Sequence, residues 1–244
     1  MPQSVVFLTP AYDGKVHVFT IKSIREAEKA LNANGIKTDW LTYPGCCYLP
    51  PARNKLVDAF LKGPWSDMMF IDADVEFEAE SVFKVLKWDR DIVCGVYPFR
   101  ALQPDYPCKL KLDGEGFPVV DPFTGLIEAE FIPTGFLRCK RVVFENMEKH
   151  YTRERLLVKE FDNSGNLLGE YLNFFDTEHI NQRWVGEDYT FSAKYRSMGE
   201  QYKIWVEPDI KFKHHGLHGF EGNLHDYLRA LPGGGGPKPD EWKF

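Results

Sequence analysis

The chain has 244 residues, of which 43% are hydrophobic and 27% charged, and its formal net charge is −6. This length is enough for one large domain with a substantial core, and the negative charge argues against broad, nonspecific binding of nucleic acid. No apolar segment is long enough to span a bilayer, and the first residues do not resemble a signal peptide. Five cysteines without a C-x-x-C spacing predict free thiols in a reducing compartment, so we expect a cytoplasmic protein.

The first part of the chain alternates between predicted strands and helices. Apolar runs predict three strands, at 5–8, 68–71 and 92–96. The helical spacing of apolar residues predicts three helices, around 21–31, 51–60 and 82–86. This alternation is typical of βαβ units and indicates a mainly parallel sheet.

From about residue 100 the pattern changes to short segments that are separated by proline, glycine and aspartate. We predict antiparallel hairpins within 100–131, lying across the end of the sheet, and within 152–175, with a turn at 162–166. Gly186 precedes a further helix, and two strands follow at 203–206 and 210–213. We therefore expect one domain over 1–224, followed by a helix or a flexible glycine-rich tail over 225–244.

Two aspartates, one residue apart, follow the second of the predicted strands. The strand is continuously apolar, as expected in a parallel sheet, and Asp72, Ala73 and Asp74 come directly after it. Because ligands of open α/β sheets bind beyond the carboxyl ends of the strands, these carboxylates should stand at the mouth of a site. Two such close like charges repel each other unless a positive charge lies between them. A divalent cation that carries the phosphates of a nucleotide is the usual partner.

Three further segments could complete this site. Arg53 and Asn54, near the start of a helix, could hold a diphosphate, although a solvated arginine is the more common case. Glu187 and Asp188 open a later helix, where acids often only offset the helix dipole; alternatively, Asp188 is a general base for an acceptor hydroxyl. His214, at the end of the last predicted strand, could complete the coordination of a cation, Mn²⁺ more readily than Mg²⁺.

The order of these segments resembles the GT-A fold of nucleotide-sugar-dependent glycosyltransferases, and the later part is similar to small bacterial and phage glycosyltransferase-like proteins. The resemblance covers Val5 to about Gly222 and rests on six segments, at 7–12, 52–54, 70–74, 133–136, 186–188 and 214–216. It implies a Rossmann-like α/β fold with a mainly parallel central sheet, flanking helices and inserted antiparallel hairpins. It also implies transfer of a sugar from a nucleoside-diphosphate sugar to an acceptor hydroxyl, with inversion, in the presence of Mn²⁺ or Mg²⁺.

The resemblance also implies roles for individual residues. Asp188 would be the general base and Glu187 would orient the acceptor or the helix, while Asp72, Asp74 and His214 would bind the cation. Residues implied in binding the donor or acceptor are Thr9, Pro10, Ala11, Tyr12, Asp39, Arg53, Asn54, Asp72, Ala73, Gly135 and Trp184. Members of this family carry an acidic pair after their own second strand, and it binds the base of the nucleotide. The corresponding region of this chain is 39–44, where only Asp39 is acidic.

Two other classes of function fit parts of the pattern. A nucleotidyltransferase can use paired aspartates on a related sheet, but it would favour a glycine-rich, basic loop after the first strand, where this chain has only Gly14 and Lys15. A degenerate transferase domain that only binds carbohydrate would be expected to lack the aspartates or the acid at 188. The acceptor stays open among a glycan, a lipid, a protein and a modified nucleobase, and the oligomeric state is open as well.

Overall fold

The computed structural model describes residues 1–101, 105–180, 182–216 and 219–231. The strands within these ranges are β1 (Ser4–Ala11), β2 (Lys37–Pro44), β3 (Asp67–Ile71), β4 (Val75–Phe77), β5 (Ile92–Cys94), β6 (Lys109–Leu110), β7 (Ile127–Phe131), β8 (Phe136–Lys140), β9 (Leu157–Phe161), β10 (Leu167–Leu172), β11 (Glu178–Ile180), β12 (Arg183–Val185), β13 (Ile204–Val206), β14 (Lys211–His215) and β15 (Gly219–Asn223). The helices are α1 (Val18–Ala33), α2 (Leu49–Lys62), α3 (Ala79–Leu86), α4 (Arg141–Tyr151), α5 (Arg153–Leu156), α6 (Glu187–Ser197) and α7 (Leu224–Ala230).

Eight of these strands form a central sheet in the order β2-β1-β3-β8-β5-β13-β7-β6. β1 pairs in parallel with β2 and β3, and β5 pairs in parallel with β13. β8 and β7 run in the opposite direction and pair antiparallel with their neighbours. Six of the eight strands therefore run in one direction, which confirms a mixed α/β fold with a mostly parallel central sheet.

Helices cover both faces of this sheet. On β1, Val5 and Phe7 face a core with α1 and α3, whereas Val6 and Leu8 face a second core with α2, α4 and α6. All four side chains are fully buried. Because neither face meets water, all four positions of the run 5–8 are apolar rather than every second one. The same property let the apolar runs predict β1, β3 and β5.

Of the two predicted hairpin regions, one folds as predicted and the other lies in a different place. β9 and β10 form the predicted antiparallel pair, and the side chain of Asp162 accepts hydrogen bonds from the backbone N–H groups of Ser164 and Asn166 at 2.8 Å in the turn. β6 and β7 are also antiparallel, but the prediction that they lie across the end of the sheet is wrong. β7 pairs with β13, so this hairpin extends the central sheet and buries Ala129 beside Ile204.

A smaller antiparallel sheet, in the order β15-β14-β4, lies next to the carboxyl end of β3. β14 pairs with β4 so that His214 lies opposite Val75, the residue after Asp74. The backbone N–H of His215 donates to the carbonyl oxygen of Asp74 at 2.8 Å. This pairing brings the last predicted strand to the aspartate pair.

The end of the described chain joins the main core. Leu224 and Leu228 of α7 are buried in the core that contains α2, α4 and α6. The glycine-rich run predicted as a flexible tail, at 232–237, lies outside the described residues. All five cysteines are free thiols. No helix in the described part of the chain has the length and apolar character that crossing a membrane requires.

Candidate functional site

A cleft of about 660 Å³ lies where the loops follow β1, β3 and β5 at the carboxyl edge of the central sheet. The residues that line it are Pro10, Tyr12, Asp13, Lys15, Val16, His17, Leu49, Asp72, Ala73, Asp74 and Arg100. Both predicted aspartates therefore stand at the mouth of a cleft, as the edge rule for open α/β sheets requires.

Arg53 is the positive charge beside the aspartate pair. Pro50 and Pro51 occupy the first turn of α2, as is common for proline, and Arg53 follows on the buried face of the helix. Its Nη2 donates to Oδ1 of Asp72 at 2.9 Å, and its Nε donates to Oε1 of Glu187 at 3.2 Å. The guanidinium carbon also lies 5.0 Å from the ring centre of Phe70. One buried side chain thus connects the aspartate pair after β3 to the acidic pair that opens α6.

The charge of Arg53 is firmly held, although it is almost completely buried. Burial opposes the charged form, but the carboxylates of Asp72 and Glu187 outweigh it and raise the pKa of Arg53 above its ordinary value. Its Nη1 has no hydrogen-bond partner among the residues that the structure describes. The solvated arginine considered from the sequence is therefore wrong, and this side chain is a fixed cation at the base of the site.

Gly135 makes room for Asp72. A Cβ atom at this position would lie 2.4 Å from Oδ2 of Asp72 and 2.5 Å from the hydroxyl oxygen of Tyr97. That hydroxyl donates to Oδ2 of Asp72 at 3.2 Å, and the backbone N–H of Asp72 donates to the carbonyl oxygen of Gly135 at 3.0 Å. The missing side chain of Gly135 therefore leaves room for Asp72, and the implied contact of Gly135 with the donor or acceptor stays a prediction.

Asp188 has the character of a general base. Burial, and to a smaller extent the neighbouring carboxylate of Glu187, raises the pKa of Asp188 to about 6. Its Oδ1 accepts a hydrogen bond from the backbone N–H of Tyr189 at 2.8 Å. A carboxylate with this pKa is ionised at neutral pH and is a stronger base than an exposed aspartate.

His214 and Asp74 lie close together with two acceptors facing each other. Nδ1 of His214 lies 2.9 Å from the carbonyl oxygen of Pro98, so Nδ1 must carry the proton, and burial lowers the pKa of the ring. The unprotonated Nε2 then lies 3.5 Å from Oδ1 of Asp74. A metal-binding histidine usually donates its second ring N–H to a carbonyl or carboxylate in this way. The pair fits the requirements for two ligands of one cation.

Asp72 does not join this pair, because its two oxygens face Arg53 and Tyr97. Across 1–101, 105–180, 182–216 and 219–231, no three His, Cys, Asp or Glu side chains are arranged to hold a metal ion. Arg100 contacts the carboxylate of Asp74 from the cleft side. The structure thus brings together two of the three predicted ligands.

The neighbouring His215 is turned away from the aspartates. Its Nε2 lies 2.5 Å from Oε2 of Glu76, and its ring stacks on that of His17 with a centroid distance of 4.1 Å. His17 in turn donates its backbone N–H to the carbonyl oxygen of Ala73 at 2.7 Å. His214 rather than His215 is therefore the histidine beside Asp74.

Asp39 is not brought into the cleft. The region expected to follow the second strand is the strand β2 itself, and Asp39 pairs in register with Val6, which pairs with Met68. Asp72 lies four residues beyond Met68, roughly 13 Å along the sheet. The carboxylate of Asp39 accepts a hydrogen bond from Nε1 of Trp65 at 2.6 Å and lines a separate pocket with the first residues of the chain. The structure therefore places Asp39 outside the cleft that contains the aspartate pair, and its contact with the base of a nucleotide stays a prediction.

Other predicted binding residues are divided between the cleft and its surroundings. Pro10 and Tyr12 line the cleft, whereas Ala11 is buried and the hydroxyl of Thr9 accepts a hydrogen bond from Trp40. The remaining two are Asn54, whose buried amide holds the segment 173–175, and Trp184, which is 78% exposed on β12.

The sequence reasoning missed several residues of the site. Tyr97 and Arg100 follow β5, and the edge rule that selected the aspartates would also have selected them after the predicted strand 92–96. Lys15 and His17 lie in the loop after β1, where no motif distinguished them.

Comparison with models of known protein families gave no match, and comparison with curated proteins gave none either.

Proposed function

We propose that the protein is a cation-dependent glycosyltransferase that moves a sugar from a nucleoside-diphosphate sugar to an acceptor hydroxyl. The observation that carries this proposal is the double ion pair of Arg53 with Asp72 and Glu187. It joins the carboxylates expected on the donor side to the acidic pair expected on the acceptor side. We infer the GT-A fold as the particular form of this α/β architecture from the resemblance of the six segments, with which a mostly parallel central sheet flanked by helices is compatible.

The donor would occupy the cleft. Lys15 and Arg100 supply positive charge to a diphosphate, and the ring of Tyr12, which is 69% exposed, offers a flat surface to a base or ribose. Asp74 and His214 would hold Mn²⁺ or Mg²⁺. When bound, such a cation would supply Lewis-acid stabilisation of the negative charge that develops on the departing diphosphate.

Asp188 would take the proton of the acceptor hydroxyl. The acceptor oxygen then bonds to the anomeric carbon from the side opposite the diphosphate, the bond to the diphosphate breaks, and the configuration is inverted. Glu187 would hold the start of α6 in place through Arg53, and the carboxylate of Asp72 would face the ribose or the donor sugar. Trp184, just before this acidic pair, would stack on a sugar ring of the acceptor.

The first test is a thermal-shift screen of nucleoside-diphosphate sugars with and without Mn²⁺. At least one donor should stabilise the protein, and more strongly when Mn²⁺ is present, whereas Asp74→Ala should lose the Mn²⁺-dependent part. Asp89→Ala is the matched control, because Asp89 belongs to the other Asp-x-Asp of the chain and its side chain is almost fully exposed. No shift with any donor, or an equal Mn²⁺ effect in both variants, would contradict the proposal.

A second test separates catalysis from binding. Asp188→Asn should abolish the release of nucleoside diphosphate from the donor that the screen identifies, while the thermal shift with that donor is retained. Phe123→Ala changes the most exposed phenylalanine outside the site and should behave as the unaltered protein. If the unaltered protein binds the donor but releases no diphosphate with any acceptor tried, the degenerate binding domain is the better description.

A further inference from the structure

A second cavity, of about 270 Å³, lies between the first turn of α2 and the β9–β10 hairpin. We propose that it is a subsite for one neutral, hydroxyl-rich ring of the acceptor, such as a sugar. This inference rests on the proposed transferase function but uses residues outside the cleft. The volume is close to the lower limit of about 300 Å³ for ligand pockets, which suits one ring better than an extended chain.

The cavity lies beside the segment of α2 that holds the carboxylates of the site. Asn54 lines it and is adjacent in α2 to Arg53, which holds Asp72 and Glu187. A ligand in this cavity would therefore contact the same turn of α2 that carries Arg53. A longer acceptor could then fill the cavity with one ring and present a hydroxyl to the site with the next.

The walls of the cavity are held in place by buried hydrogen bonds. The side chain of Asn54 donates to Asn173 Oδ1 and to the carbonyl oxygen of Phe175, both at 2.7 Å, and accepts from the backbone N–H groups of Phe174 and Phe175 at 2.9 Å. Asn173 donates to Oδ2 of Asp176 at 2.8 Å. The polar groups that face a ligand are thus pre-organised, which reduces the entropy that binding must overcome.

The hairpin wall is tied to α2 by a second contact. Nζ of Lys55 forms an ion pair with Oε2 of Glu160 on β9 at 2.8 Å and lies 5.7 Å from the ring centre of Tyr171 on β10. Because its charge is paired with Glu160, Lys55 positions the wall and is not a free cation for a ligand. The buried ring of Tyr171 lines the cavity.

The chemistry of the lining indicates the class of ligand. Two tyrosine rings and two prolines provide flat apolar surfaces, and Asn173, Asp176 and Thr177 provide amide, carboxylate and hydroxyl groups. Carboxylates and amides have spare acceptor and donor capacity for hydroxyl groups. None of the lining residues that the structure describes is Lys, Arg or His, in contrast to the cleft with Lys15 and Arg100. A phosphorylated ligand would therefore favour the cleft, and a neutral ring the cavity.

The test compares two equally exposed tyrosines. Tyr48 lines the cavity and is 70% exposed, whereas Tyr12 lines the cleft and is 69% exposed. Saturation-transfer NMR of the full chain with a panel of neutral p-nitrophenyl glycosides should find binders whose affinity falls about tenfold in Tyr48→Ala, because a stacking surface is lost. Asp176→Asn, which keeps the side-chain shape, should weaken the same glycosides. Tyr12→Ala should leave glycoside binding unchanged and weaken nucleoside diphosphates, measured by calorimetry.

Several results would overturn the proposal: no neutral glycoside binds, glycosides bind equally well to Tyr48→Ala and Asp176→Asn, or sugar phosphates bind through Tyr48 in preference to neutral glycosides. Circular dichroism of each variant would exclude unfolding as the cause of lost binding. The outcome is separate from that of the proposed function. Glycoside binding that depends on Tyr48, without binding of any nucleotide sugar, would support the cavity and contradict the transferase.

Discussion

Replacing Asp188 by asparagine should make the protein more stable at neutral pH while it abolishes transfer. The carboxylate is held at the start of α6, where burial and Glu187 raise its pKa from the ordinary value of 3.8 to about 6. This rise corresponds to about 3 kcal/mol of unfavourable free energy for the ionised form in the folded state. Asparagine has nearly the same shape and keeps the acceptor for the N–H of Tyr189, but it cannot ionise.

The raised pKa of Asp188 determines whether the variant gains or loses stability at each pH. Below pH 3.8 the carboxyl group is protonated in both the folded and the unfolded state, so Asp188→Asn has little effect on stability there. Between 3.8 and about 6 the unfolded chain ionises first and the folded state loses stability as the pH rises. Above about pH 6 the carboxyl group is ionised in both states, and the loss of folded-state stability reaches its full value. We therefore expect Asp188→Asn to raise the free energy of unfolding by up to about 3 kcal/mol at pH 8.

Urea denaturation at pH 4 and at pH 8 measures both values for the variant and the unaltered protein. Asp162→Asn is the matched control of opposite sign, because the side chain and backbone of Asn166, with other backbone N–H groups of the hairpin turn, lower the pKa of Asp162. It should lose stability at pH 8 and nearly as much at pH 4, because the lowered pKa of Asp162 lies below both values. If Asp188→Asn is equally or less stable than the unaltered protein at pH 8, the carboxylate of Asp188 is not held in an unfavourable environment and the argument for a raised pKa fails.

Three further predictions concern the same site. Arg53→Met should leave the partly buried carboxylates of Asp72 and Glu187 without their partner, lower the free energy of unfolding in urea by about 3–5 kcal/mol and abolish transfer. A loss of less than about 1 kcal/mol would show that water replaces Arg53 as the partner of these carboxylates. Gly135→Ala should displace the carboxylate of Asp72 and cause a loss of transfer. Gly169→Ala, where a Cβ atom meets open space, should retain transfer activity; equal activity of the two variants would show that the space beside Asp72 can accommodate a methyl group. kcat/KM should fall about tenfold per pH unit below pH 6 as Asp188 is protonated. A kcat/KM that stays constant down to pH 5 would show that Asp188 is not the general base.

Local sequence patterns were sufficient where both the pattern and the structure depend on neighbouring residues. The strand β3 is apolar from Met68 to Ile71 because both its faces are covered, so its end could be placed at Ile71 and the aspartates beyond it. The hairpin turn at 162–166 was predictable because Asp162 and Gly165 are typical turn residues, and Gly165 has a φ of 83°.

The failures occurred where a contact joins distant parts of the chain. Whether β7 pairs with β13 or crosses the sheet depends on which edge strand is free, and no pattern within 100–131 contains that information. Asp39 was assigned to the site from the family resemblance alone, because β2, half exposed and alternating in burial, has no continuous apolar run that would have placed Asp39 within a strand. The partner of Asp72 could not be identified either, since an arginine at a helix start is usually exposed and only the folded chain brings Arg53 against Glu187.

The balance of charges around the site explains why we expect a bound metal cation, although Arg53 already contacts Asp72 and Arg100 already contacts Asp74. Four carboxylates, of Asp72, Asp74, Glu187 and Asp188, are accompanied by Arg53 and Arg100, since the charge of Lys15 is paired with Asp13 at 3.2 Å. At neutral pH two negative charges are left over, and the neutral ring of His214 does not reduce them. A nucleoside diphosphate would add further negative charge to the same cleft, so its binding would require positive charge beyond that of Arg53, Arg100 and Lys15. A divalent ion beside Asp74 and His214 would meet this need, and Arg100, which is partly exposed, would then be free to contact the diphosphate.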